Sequence, residues 1–379
     1  MKIGIVCYAS VGGSGVVATE LAHALAGRGH EVHLISSDPP FRWREGAAGL
    51  SFERVLVPNY PLFREPQYLL ALTNTLVRVS QARRLDIIHA HYAVPHATAA
   101  YLAHQVLSVT CRAAAPRTVT TLHGTDITLV GSDPSYADVV AFSIEQSHGV
   151  TAVSASLRND TVRALGINRD VRVIPNFLDC AQYRRQPNAA IRAPWRPLAA
   201  GESLVLHVSN LRPVKRIDRV IEVFDRIRRR VPARLVIVGE GPERGAAERL
   251  AADLGIIDRV EFAGEQADLV PWLSAAQLFL LPSAQESFGL AALEAMACEV
   301  PVVASRVGGL SEIIEDGATG FLCEPDDVDG MAARGVQVLG DPALAARMGQ
   351  AAAVRVRQRY STDDVVPQYE AFYAEVLRR

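Results

Sequence analysis

Short runs of hydrophobic residues alternate along the chain with stretches whose hydrophobic residues recur every three to four positions. Residues 2–8 are almost continuously apolar, which is typical of a strand buried in a parallel sheet. Residues 16–29 have helical spacing and end in a glycine-rich stop signal. This alternation predicts an α/β fold in which helices cover a parallel sheet. Further strands are predicted in this half at 31–37, 85–91, 117–124, 149–154 and from residue 171 into a Pro-Asn turn.

The same alternation begins again after a polar, proline-containing stretch, and we place the domain boundary near residues 176–200. The chain is therefore predicted to form two tandem doubly wound Rossmann-like domains, 1–175 and 176–361, that face a central cleft. Ligands of such sheets bind at the carboxyl ends of the strands. Strands of the second domain are predicted at 203–209, 234–241, 259–265, 278–284, 300–305 and 320–325.

Composition narrows the class of protein. The 379 residues are 49% hydrophobic, enough for two cores, and carry a formal net charge of −2. We therefore expect no nucleic-acid partner and no stable membrane association. No apolar run is long enough to span a bilayer, and the first residues lack the pattern of a signal peptide. Five cysteines without a C-x-x-C pair exclude a disulfide scaffold and fit the cytoplasm.

Lysine is almost absent from the sequence. Of 39 basic residues, 37 are arginine, and only Lys2 and Lys215 are lysine. An ammonium group is a compact point charge, whereas guanidinium is a planar fork. Lys215 and Asn210 follow the strand predicted at 203–209, where a cation and an amide can hold a diphosphate and neutralise the charge of a leaving nucleotide. The alternative is a solvated turn.

Two glutamates, Glu286 and Glu294, lie eight residues apart in the most informative segment of the chain. The intervening Ser-Phe-Gly predicts a helix start, which leaves Glu286 in a loop and places Glu294 in the helix among apolar residues. The first amides of this helix, at Gly289 and Leu290, suit a phosphate. A buried carboxylate needs a partner, and a pair of ribose hydroxyls would serve.

A glycine-rich segment, Gly12–Gly15, lies between the first strand and the first helix and suits an anion. Residues 13–18 match the dinucleotide fingerprint G-x-G-x-x-A, and Asp38 follows the second strand where a ribose-binding acid would lie. A nicotinamide-dependent oxidoreductase is therefore an alternative. Against it, residues 9–11 lengthen the loop beyond the tight fingerprint turn.

Nine of the ten histidines lie in the first half of the chain. His123 stands at a strand end, where it acts as a base or donor near the cleft or only orients its loop. We expect His89 and His91 to point to opposite faces of their strand, which argues against a paired-histidine metal site. His91 and Tyr92 indicate a polar pocket instead.

The sequence also contains a D-x-D motif at Asp327–Asp329, a pattern that holds a metal ion in another glycosyltransferase architecture. Here the motif follows Pro325 and opens a predicted helix. We therefore expect it to cap that helix, and we expect no metal site.

Taken together, these segments resemble the retaining family 4 glycosyltransferases of the GT-B fold. The resemblance covers nearly the whole chain. It implies an N-terminal acceptor domain, a C-terminal nucleotide-sugar domain and a last helix, at about 362–379, that packs back on the first domain. It is carried by the glycine segment 12–15, Asn210 with Lys215, VGEGPE at 238–243, the Glu286/Glu294 pair, and GGLSEIIEDGATGFL at 308–322.

Within the family, other segments are similar to the members that transfer N-acetylglucosamine from UDP-N-acetylglucosamine to L-malate, the first step of bacillithiol biosynthesis. This implies a UDP-sugar-dependent retaining hexosyltransferase without a cofactor or metal. A member with another acceptor, inositol phosphate or a lipid, stays open, as does the oligomeric state, a homodimer included. The similar segments are 8–21, 60–72, 90–97, 120–135 and 209–218.

The resemblance also implies roles for single residues. Lys215 would bind the diphosphate together with Asn210, Glu294 would take the uridine ribose hydroxyls, and Glu286 would face the transferred sugar. His123 would contact the sugar near the reacting carbon, so that His123, Lys215 and Glu286 form the catalytic set. The donor side would also include Gly13 and the amides of Phe288, Gly289 and Leu290. Malate would be surrounded by Ser14, Tyr92, Thr125 and Asn176, with Arg64 as a further candidate.

Two departures from the family pattern are visible. Glu299 stands where the family usually has glycine, and Ala284-Gln285 replaces a more charged pair. We expect Glu299 to alter the end of a helix rather than the chemistry.

Overall fold

The computed structural model describes residues 1–9, 12–57, 67–111, 115–127, 131, 133–186 and 198–379. This part of the chain divides into two compact units. The first comprises Met1–Asn176 with Asp363–Arg379, and the second comprises Phe177–Thr362. Within the described ranges, no helix has the length and apolar character needed to cross a membrane.

The first unit is built on a parallel sheet whose order is β3-β2-β1-β4-β5-β6-β7 among the described residues. The central strands are continuous apolar runs because helices cover both faces of the sheet. The predicted strands are confirmed, but β3 was not predicted, because this edge strand is only half-buried and holds just two large apolar residues. The strands are β1 (Lys2–Val6), β2 (Glu31–Ser36), β3 (Leu50–Arg54), β4 (Ile87–His91), β5 (Arg117–Leu122), β6 (Gly149–Ala152) and β7 (Arg172–Val173).

The first five helices flank this sheet. They are α1 (Gly13–Gly27), α2 (Tyr68–Arg83), α3 (Thr98–Thr110), α4 (Ala137–Glu145) and α5 (Ala155–Leu165). Helix α1 starts three residues earlier than predicted, so Gly13, Ser14 and Gly15 form its first turn rather than a loop. The backbone amides of that turn have no intrahelical acceptor.

The second unit repeats the design with a parallel sheet of order β10-β9-β8-β11-β12-β13. Its strands are β8 (Ser203–Val208), β9 (Ala233–Val238), β10 (Val260–Gly264), β11 (Leu278–Leu281), β12 (Val302–Ser305) and β13 (Phe321–Cys323). Its helices are α6 (Ile217–Arg228), α7 (Arg244–Asp253), α8 (Val270–Ala275), α9 (Leu290–Ala297), α10 (Leu310–Ile313), α11 (Val328–Gly340) and α12 (Pro342–Arg359). One core cluster joins α6 and α11 to the sheet through residues such as Phe224, Leu278 and Met331, all buried.

The last helix, α13 (Thr362–Arg378), packs on the first sheet. The Tyr373 hydroxyl lies 2.8 Å from Nδ1 of His89 on β4. Gly149 on β6 leaves room for the helix, because a Cβ there would lie 2.7 Å from the ring of Phe372. The Glu370 carboxylate accepts hydrogen bonds from the Arg28 guanidinium after α1. The C-terminal residues therefore complete the first unit.

Glu299, which follows α9, adopts a left-handed backbone conformation with φ of 60°. Such a conformation costs a residue with a Cβ about 1 kcal/mol relative to glycine. We therefore expect Glu299→Gly to raise the free energy of unfolding by about 1 kcal/mol. Thermal denaturation of the two proteins measures the change. Glu299→Ala is the matched control, because it removes the carboxylate but keeps the Cβ, and a gain of equal size in that variant would refute this explanation.

Candidate active site

In the first unit, polar side chains follow neighbouring strands at the carboxyl edge of the sheet. Tyr92 follows β4 and Thr125 follows β5, and their hydroxyl oxygens lie 2.5 Å apart. The His123 ring stacks on the Tyr92 ring, with centroids 5.6 Å apart and planes inclined by 24°. The structure thus brings together three of the residues predicted for the site.

The backbone of Tyr92 is strained. Its φ is 104°, a value that favours glycine and that a bulky side chain rarely adopts. The conformation is held by the Tyr92 N–H, which donates to the Thr121 carbonyl at 3.0 Å, and by an edge contact with the Tyr8 ring at 5.4 Å. Strain of this kind persists only where the surroundings enforce it, and it clusters at functional sites.

The loop that carries His123 and Thr125 is organised by Asp126, which is buried. The Asp126 carboxylate accepts hydrogen bonds from the backbone N–H of Gly124 at 2.8 Å, of Ala93 at 3.2 Å and of His123 at 3.3 Å. Burial raises the pKa of this carboxyl to about 6, against the pull of these amides. Asp126 lies in segment 120–135, which carries part of the family resemblance, but its role in joining the loops after β4 and β5 is visible only in the structure.

The prediction that His89 and His91 point to opposite faces was wrong. Residues two apart on a strand share a face, and the two rings lie 4.4 Å apart. His96 and His123 lie close by, and burial lowers the pKa of His89 to about 3, of His96 to about 4 and of His123 to about 3. These imidazoles are therefore neutral at physiological pH.

The remaining predicted residues of the first unit lie at other points of the same sheet edge. Gly13 opens α1 after β1, and Ser14 is the second residue of that helix. Asn176 follows β7 and is buried, and its Oδ1 atom has no hydrogen-bond partner among the described residues. Arg64 lies outside the described residues, so the structure places no side chain for it.

Asp38, the acid of the dinucleotide fingerprint, forms an ion pair with Arg54 at the exposed edge of the sheet. A ribose-binding acid points toward the glycine-rich turn. The pairing gives Asp38 a structural role that needs no cofactor.

In the second unit, Lys215 and Glu286 meet although 71 residues separate them. Lys215 follows β8 and Glu286 follows the adjacent β11, and the ammonium group donates to Glu286 Oε1. Their side chains are 20% and 12% exposed, so the charges are partly shielded from water. The Ser283 hydroxyl lies 3.4 Å from the same carboxylate oxygen. Asn210, between β8 and Lys215, is exposed.

Glycines allow neighbouring backbone segments to pack closely against the loops that carry Lys215 and Glu286. A Cβ at Gly239, whose φ is 121°, would lie 1.8 Å from the carbonyl oxygen of Ser209. A Cβ at Gly308, whose φ is 50°, would lie 1.9 Å from the carbonyl oxygen of Glu286, which also accepts from the Gly309 N–H at 3.0 Å. The glycines of the VGEG and GGL segments thus allow backbones to pack against the two loops.

Sequence reasoning missed His207, which is wholly buried on β8. Its Nδ1 donates to the Leu280 carbonyl on β11 at 2.8 Å, and its Nε2 lies 2.8 Å from the Ser209 hydroxyl. Burial lowers the pKa of His207 to about 4. The side chain therefore ties together the two strand ends that carry Lys215 and Glu286. A histidine in an otherwise apolar run was the available signal.

The predicted start of α9 is confirmed. Gly289 is the N-cap residue, with φ of 95°, and Leu290 is the first helical residue. Glu294 is only 3% exposed and lies on this helix among alanine, leucine and methionine. Phe288 is buried against the edge of the Tyr360 ring, with centroids 5.9 Å apart.

The D-x-D motif caps a helix, as predicted. Asp327 is the N-cap residue of α11, and its side chain accepts from the Gly330 N–H at 2.9 Å. Across the described ranges, no group of three or more His, Cys, Asp or Glu side chains is arranged to hold a metal ion.

Two solved structures match the chain over its whole length. Sucrose-phosphate synthase from Thermosynechococcus elongatus gives a TM-score of 0.83 at 22% identity, with 100% of this chain and 99% of that chain covered. HepE from Anabaena in complex with UDP-glucose gives a TM-score of 0.80 at 22% identity, with the same coverage. These likenesses confirm the fold class: two Rossmann-like domains of the GT-B type.

Two family models cover most of the chain, Glycosyltransferase Family 4 over residues 11–182 and Glycosyl transferases group 1 over residues 194–355. The chain belongs to the family 4 glycosyltransferases, as its motifs indicated. It is 44% identical over 378 residues to N-acetyl-alpha-D-glucosaminyl L-malate synthase from Bacillus anthracis, covering 100% of this chain and 98% of that protein. It is 32% identical over 366 residues to D-inositol 3-phosphate glycosyltransferase from Nocardia farcinica, covering 89% and 79%.

Proposed function

We propose that this enzyme transfers N-acetylglucosamine from UDP-N-acetylglucosamine to the hydroxyl of L-malate with retention of the α configuration, the first step of bacillithiol biosynthesis. The observation that carries the proposal is the Lys215–Glu286 pair at the ends of β8 and β11, in a chain with 44% full-length identity to a malate synthase of this type. Both substrates are small charged metabolites, and we place the reaction in the cytoplasm.

The donor binds the second unit in this proposal. Lys215 and Asn210 hold the diphosphate, and Glu294 accepts hydrogen bonds from the ribose hydroxyls. Without a donor, the Lys215 ammonium is neutralised by Glu286. When the diphosphate binds, the ammonium is shared with its oxygens, and Glu286 turns toward the hydroxyls of the sugar. The amides at the start of α9, from Phe288 to Leu290, donate to the sugar and phosphate.

The acceptor binds the first unit in this proposal. A dicarboxylate needs several hydrogen-bond donors. The hydroxyls of Tyr92 and Thr125 lie 2.5 Å apart, so one donates to the other and the second keeps its proton for a malate carboxylate. Ser14 and Asn176 supply further polar groups at the same sheet edge. Gly13 lets the donor phosphate approach the first turn of α1, and His123 contacts the sugar.

The proposed transfer needs no covalent bond between the sugar and the enzyme. The malate hydroxyl oxygen forms a bond to the anomeric carbon on the face from which UDP departs, and the bond between that carbon and the phosphate oxygen breaks. The hydroxyl proton passes to the departing phosphate oxygen. The enzyme's task is electrostatic, because preorganised donors stabilise the charge that develops on UDP. We propose that Lys215 and the α9 amides supply this stabilisation, so that no metal ion is required.

UDP release from UDP-N-acetylglucosamine tests the acceptor. L-malate, other hydroxy acids and inositol phosphate are compared at equal concentration, and a reaction without acceptor measures transfer to water. We expect malate to give the highest kcat/KM and EDTA to leave the rate unchanged. Faster turnover with inositol phosphate would replace malate in the proposal, and loss of activity in EDTA would refute the metal-free part. NADH fluorescence titration, which we expect to show no binding, tests the oxidoreductase alternative.

Glu294→Gln tests the ribose assignment. A carboxylate that accepts from two hydroxyls contributes about 1.5–3 kcal/mol, so we expect the Kd for UDP to rise about 10- to 100-fold. Titration calorimetry with UDP measures this change. Glu248→Gln on α7 is the matched control, because Glu248 pairs with Arg244 at the surface of the same unit. Wild-type affinity for UDP in folded Glu294→Gln would refute the assignment.

A further inference from the structure

The His123 ring has a second contact, with His91, that the proposed chemistry does not use. Nδ1 of His91, the last residue of β4, lies 2.9 Å from Nε2 of His123, and the rings stack with centroids 5.1 Å apart. His91 is wholly buried. Because Nε2 of His123 is engaged in this way, Nδ1 is the ring nitrogen of His123 that is left for a ligand.

One proton lies between these two nitrogens. Burial lowers the pKa of both imidazoles, to about 3 for His123 and well below the ordinary value for His91, so each ring is neutral and carries a single N–H. Either His91 donates from Nδ1 to His123, or His123 donates from Nε2 to His91. The first arrangement puts the proton of His123 on Nδ1, and the second leaves Nδ1 of His123 as a bare acceptor.

The surroundings of His91 select between the two arrangements. Nε2 of His91 is buried and has no hydrogen-bond partner among the described residues. If His123 donated, the proton of His91 would lie on this nitrogen as a buried, unsatisfied donor, a state that folded proteins rarely tolerate. If His91 donates from Nδ1, its Nε2 keeps only an unused lone pair.

A neighbouring histidine, His96, already has a buried Nε2 whose lone pair is unused among the described residues. Nδ1 of His96 lies 2.6 Å from the carbonyl oxygen of His91, which can only accept, so His96 must carry its proton on Nδ1. Nε2 of His96 is also buried without a partner in the described part of the chain. An unused imidazole lone pair is therefore accommodated in this cluster.

We propose that His91 is a positioning residue, which donates from Nδ1 to Nε2 of His123 and thereby fixes His123 as an Nδ1–H tautomer that donates a hydrogen bond to the sugar. The inference rests on the proposed function, in which His123 contacts the sugar. It deepens that function by giving His123 a defined chemistry: a donor toward a sugar oxygen and not a base. This agrees with a mechanism in which the leaving phosphate takes the acceptor proton.

The tautomer is measured directly by long-range 1H–15N NMR of the full chain labelled with 15N-histidine, with His123 assigned by comparison with His123→Gln. We expect His123 to show a protonated Nδ1 and an unprotonated Nε2. The opposite pattern overturns the inference. The measurement needs no turnover, so it decides the tautomer whether or not malate is the acceptor.

Kinetics then test the positioning role. Asparagine at position 91 keeps a donor near the place of Nδ1, whereas phenylalanine keeps the ring shape and removes the donor. We expect His91→Phe to lower kcat about tenfold and His91→Asn to restore it to within about threefold of wild type, with the Kd for UDP unchanged in both. His148→Phe is the matched control, because His148 is a partly buried histidine that bonds Thr118 in the same unit, and we expect its kcat to stay near wild type.

The outcomes separate the two proposals. Equal kcat in His91→Phe and His91→Asn, or a loss in His148→Phe as large as in His91→Phe, overturns the positioning role and leaves the transferase proposal standing. A protonated Nδ1 on His123 in an enzyme that does not use malate removes the proposed acceptor and supports the His91–His123 assignment.

Discussion

Replacing Lys215 by alanine is expected to lower kcat about 10²- to 10³-fold and to change the melting temperature by only a few degrees. The ammonium group is placed to stabilise negative charge that develops on UDP during bond breaking, and losing a donor of that kind has an effect of this size on the rate. The folded state loses less, because the pair is not fully buried, at 20% and 12% exposure, and water and the Ser283 hydroxyl can still solvate the Glu286 carboxylate. Steady-state kinetics and thermal denaturation measure the two effects.

The chain offers a matched control for this variant. Lys2 is the other lysine in the sequence, and it pairs with Glu31 at 3.3 Å in the first unit, where both side chains are exposed to water. Lys2→Ala should leave kcat unchanged. Lys215→Arg should recover only part of the rate, since a planar fork does not replace a point charge. If Lys215→Ala turned over as fast as Lys2→Ala, the electrostatic role of Lys215 would be refuted.

The histidine cluster of the first unit is expected to make this unit unstable in mild acid. His89, His91 and His96 are wholly buried, and burial lowers their pKa values to about 3, to well below the ordinary value and to about 4. The folded protein keeps them neutral, whereas the unfolded chain binds protons below about pH 6.5. Stability is therefore fully present above that pH and falls as the pH drops toward the folded values.

The loss in the free energy of unfolding can be calculated from the pKa values of these buried groups. Between pH 7.5 and 5.5, His89, His96 and His123, with pKa values of about 3, 4 and 3, each lower the free energy of unfolding by about 1.4 kcal/mol. His91 adds to this loss in the same direction. Asp126, with its pKa raised to about 6, takes up a proton in the folded state over this range and offsets about 1 kcal/mol. The net loss is at least about 3 kcal/mol, which should lower hydrogen-exchange protection of β4 and β5 at least about 100-fold.

Hydrogen exchange followed by mass spectrometry measures this loss strand by strand in the full chain. His89→Gln removes one titrating group and should reduce the loss of stability between pH 7.5 and 5.5 by about 1.4 kcal/mol. Protection of β4 and β5 that stays constant between pH 7.5 and 5.5 would show that the histidines are not buried neutral groups.

The fold was predictable because buried parallel strands leave a direct mark on the sequence. Strands such as β1 and β9 are covered on both faces and appear as continuous apolar runs. Strand β3 was missed because its half-exposed residues carry no such run. The early start of α1 was missed for a different reason: glycines indicate a loop, and only the structure shows that they form a helical turn.

The candidate site was predictable residue by residue but not as a set of contacts. Lys215 stood out by its rarity and Glu286 by its place before a helix, yet their pairing depends on the adjacency of β8 and β11, which no local pattern reveals. Side chains two residues apart on a strand lie on the same face, so the sequence was enough to place His89 and His91 together. Our prediction of opposite faces misapplied this period. The His91–His123 contact needed the pairing of β4 with β5.

The NMR spectrum of the product that this chain makes from UDP-N-acetylglucosamine and L-malate tests the proposed transfer most directly. We expect one equivalent of UDP for each N-acetylglucosamine joined to the malate hydroxyl, with an anomeric proton coupling of the α configuration. A β-linked product, or release of free N-acetylglucosamine while malate is untouched, would contradict the proposed transfer.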